Sequence, residues 1–320
     1  MDVTTGVAGT KRVLVAAAVM VAALATAAVG CSTQQKGPDG ARQGGEARAL
    51  TRPDLPAHQP HPLSERQKDV LHDAEELLTR SCMAAHGFKT WVVPRRPLAD
   101  DREFPYAVDD VRWASQHGYG GDMAARRERL RLSDPNRRYF AGLAPSRQKR
   151  ALDAYHGAES TKRITVKAPN GLSISRADGG CVALSERKLY GDLATWFRVT
   201  TVTDALTGMR RQMVQKDAEF KSSVEDWAAC MRKRGFSYAS PEKARIAFAD
   251  PHSGVPRKEE KPTAVAEARC AAATGLSRSV RRLDQRYGER LNDIYADAVR
   301  TRLRLENEAL PHARAIVRSQ

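Results

Sequence analysis

The stretch CMAAHGF (Cys82–Phe88) occurs a second time, in altered form, as CMRKRGF (Cys230–Phe236). In both copies a Cys-Met pair is followed, at the same distance, by Gly-Phe. Glycine takes the left-handed conformation at low cost, so it suits the position just after a helix. Methionine at C3 and phenylalanine at C″ are then the pair that touch in a Schellman ending. We therefore predict that each copy ends a helix, with its cysteine in the last turn.

The residues before the two copies also repeat. The tripeptide QKD begins at Gln67 and again at Gln215, in each case 15 positions before the cysteine. Two anchors at one offset indicate an internal duplication. The fold predicted is mainly α, with two duplicated disulfide-clamped helical-hairpin units. The first unit would span residues 64–214, including an inserted connection, and the second would span residues 215–320.

Helical periodicity accompanies both copies. Ser64 and Gln67 form a capping box that predicts the start of the first helix. Cys181 and Cys270 are each followed by a long apolar stripe with helical spacing, so each is expected to open a long helix. Four residues favour a break in the helix after Cys181: Thr200, Thr201, Thr203 and Gly208.

The connection between Cys82 and Cys181 is long enough to contain structure of its own. The segment Ile164–Ser175 alternates apolar and polar residues on both sides of Pro169-Asn170-Gly171, which predicts a small β-hairpin. The segment Asn136–Gly157 reads as a short pair of amphipathic helices, with a cap near Ala144-Pro145.

The N-terminus has the pattern of a lipoprotein signal peptide, residues 1–30. Lys11 and Arg12 precede the apolar run Val13–Gly30, which ends in Ala28-Val29-Gly30-Cys31. This resembles a lipobox, with Ala28 where leucine is usual, and predicts lipidation of Cys31. The alternative is an uncleaved membrane helix. Either interpretation places the rest of the chain outside the cytoplasm, and the polar residues 31–63 are interpreted as a tether.

An extracytoplasmic location changes how the other cysteines are interpreted. Cys82, Cys181, Cys230 and Cys270 are an even number in an oxidising compartment, which favours disulfides. Four cysteines allow three connectivities. If the two copies are equivalent, the pairs are Cys82–Cys181 and Cys230–Cys270, each joining the end of one helix to the start of the next.

Two further stretches carry a family resemblance. DDVRWAS followed by HGYGG (Asp109–Gly121) resembles a D-x-x-x-A-x-x-x-G-Y-G pattern. The segment Asn136–Gly157 resembles a second pattern, with Asn, Tyr, Leu, Pro, Ala and Gly at matching spacing. Together with the CM-x-x-x-GF turns, these make the chain similar to an uncharacterised family of secreted, Streptomyces-like actinobacterial lipoproteins. The resemblance implies an exported, largely helical, disulfide-bonded protein and no particular reaction.

Motifs for catalysis are missing from the sequence. It has no G-x-S-x-G elbow, no P-loop and no H-E-x-x-H motif, so we expect no enzyme, no cofactor and no metal. One polar and aromatic cluster is a candidate ligand site: Asp109, Asp110, Trp113 and Tyr119. The alternative for these residues is a helix N-terminus followed by the turn Gly118-Tyr119-Gly120.

The net charge of +15 would attract anionic partners, although the preferred interpretation of the basic runs 125–138 and 277–290 is a solvated face of arginine-rich helices. Outside a bacterial cell such partners are lipid head groups or wall components, and export argues against nucleic acid. We therefore expect a non-enzymatic lipoprotein, held on the outer face of the cell membrane by its lipid anchor, which binds envelope components or another envelope protein, or organises the envelope. The alternatives are a cell-envelope hydrolase with an unrecognised site and a small-ligand-binding lipoprotein.

Overall fold

A computed structural model describes residues 60–250 and 252–319, which fold mainly as α-helices, as predicted. These residues belong to one compact unit. The predicted signal peptide, Cys31 and the tether up to residue 59 lie outside the described residues. None of the helices within those ranges combines the length and the apolar character needed to cross a membrane.

The longest connection between consecutive elements is the segment 86–110, between the first two helices. The helices of the first half are α1 (Glu65–Ala85), α2 (Val111–His117), α3 (Gly121–Ser133), α4 (Pro135–Ala141) and α5 (Pro145–His156). The predicted hairpin is confirmed as antiparallel strands β1 (Arg163–Lys167) and β2 (Ser173–Ala177). The remaining helices are α6 (Gly180–Tyr190), α7 (Leu193–Lys216), α8 (Ala218–Lys233), α9 (Pro241–Ala249), α10 (Glu260–Ala273), α11 (Leu276–Ile294) and α12 (Ala296–Arg318).

Helix α1 begins and ends as its sequence predicts. The backbone N–H of Ser64 donates to Gln67 Oε1 at 2.8 Å, and the N–H of Gln67 donates to Ser64 Oγ, which completes the capping box. At the other end the N–H of Phe88 donates to Met83 O at 2.9 Å, and the N–H of Gly87 to Ala84 O at 2.9 Å. The equivalent groups of the second copy make the same two bonds at 3.0 Å, so both Schellman endings are confirmed.

Both disulfides have the predicted pairing. The α carbons of Cys82 and Cys181 are 5.5 Å apart, and this bond joins the last turn of α1 to the first turn of α6. The α carbons of Cys230 and Cys270 are 5.7 Å apart. The prediction that Cys270 opens a helix is wrong, because α10 begins ten residues earlier, at Glu260, and Cys270 lies near its end.

The two long helices expected after the cysteines are each divided. The first ends at Tyr190, and α7 starts two residues after Gly191 because the Asp192 carboxylate caps it, accepting the Thr195 N–H at 2.8 Å. The break expected near Thr200 is wrong: α7 runs on, and the Thr200 and Thr203 hydroxyls donate to carbonyl oxygens four residues earlier within it. The stripe after Cys270 is split between α11 and α12.

Two apolar cores hold the helices together. The first lies between α1, α6, α7 and α12, so the first and last helices of the fold pack against each other. The second lies around the Cys230–Cys270 bond, between α8, α9, α10 and α11. A smaller cluster joins α2 and α3 to α10. A further cluster surrounds Cys181 and contains Met83 and Phe88, which places both residues of the first Schellman ending beside the first disulfide.

Candidate functional site

A cavity of about 340 Å³ lies between α1, the segment 88–93, α4 and α5. We call it the aromatic cavity, because five rings line it: Phe88, Trp91, Tyr139, Phe140 and Tyr155. The whole chain has seven phenylalanines, four tryptophans and eight tyrosines, so more than a quarter of its rings meet at one place. Ligand sites are concave and mainly apolar, with a few polar groups that orient the ligand, and this cavity has that composition.

Local structure positions these rings. Phe88 is the last residue of the Schellman ending of α1, which turns the chain towards the cavity. Trp91 is held by Asn136, whose Oδ1 accepts the Trp91 N–H at 2.8 Å and whose Nδ2 donates to Trp91 O at 2.9 Å. The Trp91 ring meets Tyr139 edge to face, with centroids 5.7 Å apart. Short helices α4 and α5, both with proline in the first turn, supply the other walls.

The mouth of the cavity is apolar and accessible. Trp91 is 39% exposed and Leu152, on α5, is 47% exposed, although both line the cavity. Large apolar side chains at that exposure leave part of their surface in water. A ligand that covers these two side chains would therefore gain binding free energy by removing their apolar surface from solvent.

The lining also contains polar and charged side chains, and two of them, Thr90 and Glu76, are distinctive. The hydroxyl oxygen of Thr90 is buried and has no hydrogen-bond partner among the described residues. Buried hydroxyls nearly always have a partner, so an unpartnered one beside the cavity is unusual. The second group is the carboxyl of Glu76 on α1. Burial raises its pKa above the usual range, and the nearby Asp134 and Asp73 act in the same direction, against His72 and the Val93 N–H.

The first disulfide encloses the chain segments that form the cavity. All the lining residues from Met83 to Tyr155 fall inside the loop that the Cys82–Cys181 bond closes. That bond lies in the same apolar cluster as Phe88 and Ala151. The covalent link thus fixes the end of α1, which carries one wall, against α6, on which α5 packs.

The predicted cluster at residues 109–119 is divided between separate roles. Asp110 caps α2, accepting the Trp113 N–H at 2.9 Å, and pairs with Arg102 at 2.5 Å. Asp109 pairs instead with Arg281 of α11 at 3.1 Å. Both aspartates thus have cationic partners of their own.

The two aromatic residues of that cluster lie together, apart from the aspartates. Trp113 is buried and donates from Nε1 to Asp100 O at 2.9 Å. Trp113 and Tyr119 line a second cavity of about 270 Å³, and neither aspartate does. The four side chains are therefore not gathered around one pocket. Four arginines stand around this cavity as well: Arg102, Arg127, Arg211 and Arg245.

A buried carboxyl that the sequence did not single out lies beside Tyr119. Glu267 of α10 is fully buried and accepts hydrogen bonds from the Tyr119 hydroxyl and from the Val108 N–H, both at 2.7 Å. Burial raises its pKa to about 7. Glu75 of α1 is in a similar position, with its pKa raised to about 7 by burial while it accepts from the Tyr190 hydroxyl at 2.5 Å. Glu75 thus links α1 to α6, and Glu267 links α10 to the segments on either side of α2.

The histidine groupings are structural in character. His117 Nδ1 lies 2.9 Å from Asp122 Oδ2, linking the end of α2 to the first turn of α3. Within residues 60–250 and 252–319, no serine or cysteine side chain, the usual nucleophile partners of a catalytic histidine, hydrogen bonds to the His117 ring. His86 lies close to the sulfurs of Cys82 and Cys181, but these sulfurs are bonded to each other and are not free thiolates.

In comparisons with known proteins, no family model, curated protein or solved structure matches the chain. The interpretation of function therefore depends on the sequence and on the geometry above.

Proposed function

We propose that this chain is an exported, lipid-anchored, non-enzymatic protein that binds a small ligand in the aromatic cavity. One observation carries the proposal: five rings, an unpartnered hydroxyl and a carboxyl line a single accessible cavity in a chain that is otherwise poor in aromatic residues. Of the alternatives raised by the sequence, a small-ligand-binding lipoprotein is the one this geometry supports best.

Export and anchoring are supported by the N-terminal signal and by the disulfides. The lipobox-like Ala28-Val29-Gly30-Cys31 supports a lipid on Cys31. The two disulfides fit an oxidising compartment, since such bonds are rare in the cytosol. The resemblance to secreted actinobacterial lipoproteins points the same way. The proposed location is the outer face of the cell membrane. The tether predicted at residues 31–63 is shorter than expected at its end, because Leu63 is buried in the first core and the His61 carbonyl accepts from Asn307.

The binding role can be tested with a substitution that narrows the mouth of the aromatic cavity. The full-length chain would be held in an amphipol polymer, because detergent could itself fill an apolar cavity. The affinity of tert-butylbenzene, a neutral apolar probe, would be measured by isothermal titration calorimetry. The substitution Leu152→Trp replaces an aliphatic side chain at the rim with a bulkier indole ring. It should lower the affinity for tert-butylbenzene by about tenfold or more, which corresponds to about 1.4 kcal/mol.

The matched control is Ile246→Trp. Ile246, on α9, is 50% exposed, close to the 47% of Leu152, and it does not line the aromatic cavity. This variant should bind the probe as the unsubstituted chain does. Equal binding by both variants, or no probe binding by any form of the chain, would contradict the proposed function.

A further inference from the structure

Resting on the proposed function, we infer that the ligand of the aromatic cavity is a small organic cation, either a protonated amine or a quaternary ammonium ion, with an apolar body. The rings, the acidic lining and the unpartnered hydroxyl each fit this chemistry.

The rings provide the first argument. An aromatic face carries negative charge density, so it attracts a cation within about 6 Å of the ring centroid, and more strongly where water is excluded. Trp91, Tyr139 and Tyr155 belong to the ring types that bind cations best among aromatic side chains. Several aromatic rings around one site are the arrangement by which proteins recognise ammonium ions, and this cavity brings five together.

The sign of the lining charge provides the second argument. Glu76 and Asp134 are the acidic residues among the described lining, and Lys89 is the basic one. The chain as a whole carries a net charge of +15, so an acidic cavity runs against the overall balance. Asp134 also caps α4 through the Asn136 N–H at 2.8 Å, whereas Glu76 lies on α1 and accepts from the Val93 N–H.

Acidic groups also act on one of the rings that line the cavity. Burial raises the pKa of the Tyr155 hydroxyl, and the negative charges of Glu76 and Glu75 raise it further. The pKa of Glu76 is itself raised, first by burial and then by acidic neighbours. A bound cation would offset only the contribution of the acidic neighbours, since burial is the main cause of both shifts. The charged and polar groups that act on Glu76 come from several elements: His72 and Asp73 on α1, Asp134 before α4, and the Val93 N–H.

The hydroxyl of Thr90 provides the third argument. Its buried oxygen has almost no accessible surface, so a ligand reaches it only if a neighbouring side chain moves. A protonated amine could then donate an N–H to it, whereas a quaternary ammonium ion has no such donor. Thr90 therefore separates the two kinds of cation. Replacing it with valine should weaken a primary amine and leave a quaternary ion unaffected.

Three probes of one shape test the inference. Phenyltrimethylammonium is positive, tert-butylbenzene is its neutral isostere, and benzenesulfonate is a negative ion of similar size. Calorimetric titration of the full-length chain in amphipol should rank the affinities in that order, with the cation bound at least about tenfold more tightly than the neutral isostere.

The variant Glu76→Gln tests whether this carboxyl is the source of the preference for a cation over its neutral isostere. It should reduce the affinity for phenyltrimethylammonium by about tenfold and leave the affinity for tert-butylbenzene within about twofold. Glu225→Gln, an exposed residue of α8, makes the same change in net charge and should change neither affinity.

The outcomes separate the two proposals. If the cation and its isostere bind equally, or if benzenesulfonate binds best, the inference about charge is overturned while the binding function stands. If Glu225→Gln weakens the cation as much as Glu76→Gln does, the preference is a long-range charge effect and the inference is again overturned. If no probe binds in a manner that Leu152→Trp weakens, the proposed function itself is contradicted.

Discussion

The side chain of Asn136 holds both backbone polar groups of Trp91, accepting from its N–H at 2.8 Å and donating to its carbonyl oxygen at 2.9 Å. The two residues are 45 positions apart, so this contact brings the segment after α1 to α4. It also places the Trp91 ring at the mouth of the aromatic cavity, where the ring is 39% exposed. One amide side chain thereby connects the fold to the proposed binding site.

Asn136→Ala should loosen Trp91 without removing any ring. We expect the free energy of unfolding to fall by about 1–2 kcal/mol, because two partly exposed hydrogen bonds are lost. The affinity for phenyltrimethylammonium should also fall, and by a larger factor than in the control variant Asn292→Ala, which makes the same change at an exposed position of α11. Urea titration and calorimetry on the same samples measure both effects. An Asn136→Ala chain that binds the probes with unchanged affinity would show that Trp91 is not held in place by this contact.

The two disulfides should have different effects on binding. Removing Cys82–Cys181 opens a loop of 99 residues and should cost about 4.7 kcal/mol, against about 4 kcal/mol for the 40-residue loop of Cys230–Cys270. Only the first loop contains the cavity walls. The Cys82→Ser/Cys181→Ser chain should therefore lose probe binding at a temperature at which the Cys230→Ser/Cys270→Ser chain is folded and still binds. Equal loss from both double variants would contradict this difference.

Stability should fall as the pH rises towards neutrality, because of Glu267. Its pKa is about 7 in the folded protein and 4.5 for an ordinary glutamate, so the folded state holds the proton more tightly. Its contribution is fully present below pH 4.5 and is lost as the pH rises through 7. The variant Glu267→Gln should flatten the decline between pH 5 and 8 by an amount on the order of 3 kcal/mol at most.

Chemical denaturation over that pH range measures the slope. Glu75 has a pKa raised in the same way, so Glu267→Gln should remove part of the decline and not all of it. Glu225→Gln, at the surface, should leave the slope unchanged. A slope unaffected by Glu267→Gln would mean that this carboxyl titrates at its ordinary pKa.

Anchoring is tested by Cys31→Ser. Without the thiol no lipid can be attached, so the chain should be released from the membrane fraction or accumulate with its signal peptide uncleaved. Fractionation followed by mass spectrometry of the N-terminus distinguishes these results. Membrane retention identical to that of the unsubstituted chain would favour an uncleaved N-terminal helix.

Local features of the sequence predict local features of the fold. The capping box at Ser64 and the Schellman ending at Gly87 depend on residues within one turn of each other, and both are found as predicted. The disulfide pairing followed from the two similar copies. In α10 the alanine-rich sequence hides the helix start, because small residues give no distinct apolar stripe. That explains why Cys270 was expected to open a helix.

The aromatic cavity was not predicted because its rings are contributed by segments that only the fold brings together. Phe88 and Trp91 follow α1, whereas Tyr139 and Tyr155 lie on α4 and α5. The available signal was compositional: nine aromatic residues fall between Phe88 and Tyr155 in a chain that is 6% aromatic. Composition could indicate an aromatic region. It could not show which rings meet, because Trp113 packs elsewhere, against α10.

Hydrogen–deuterium exchange of the full-length chain, with and without saturating phenyltrimethylammonium, locates the binding site. Binding in the aromatic cavity should protect amides in the segment 88–93 and in α4 and α5, and should leave α8 to α11 unchanged. Protection confined to α8–α11, or no change at residues 88–93 while the probe is bound, would contradict the assignment of the aromatic cavity as the ligand site.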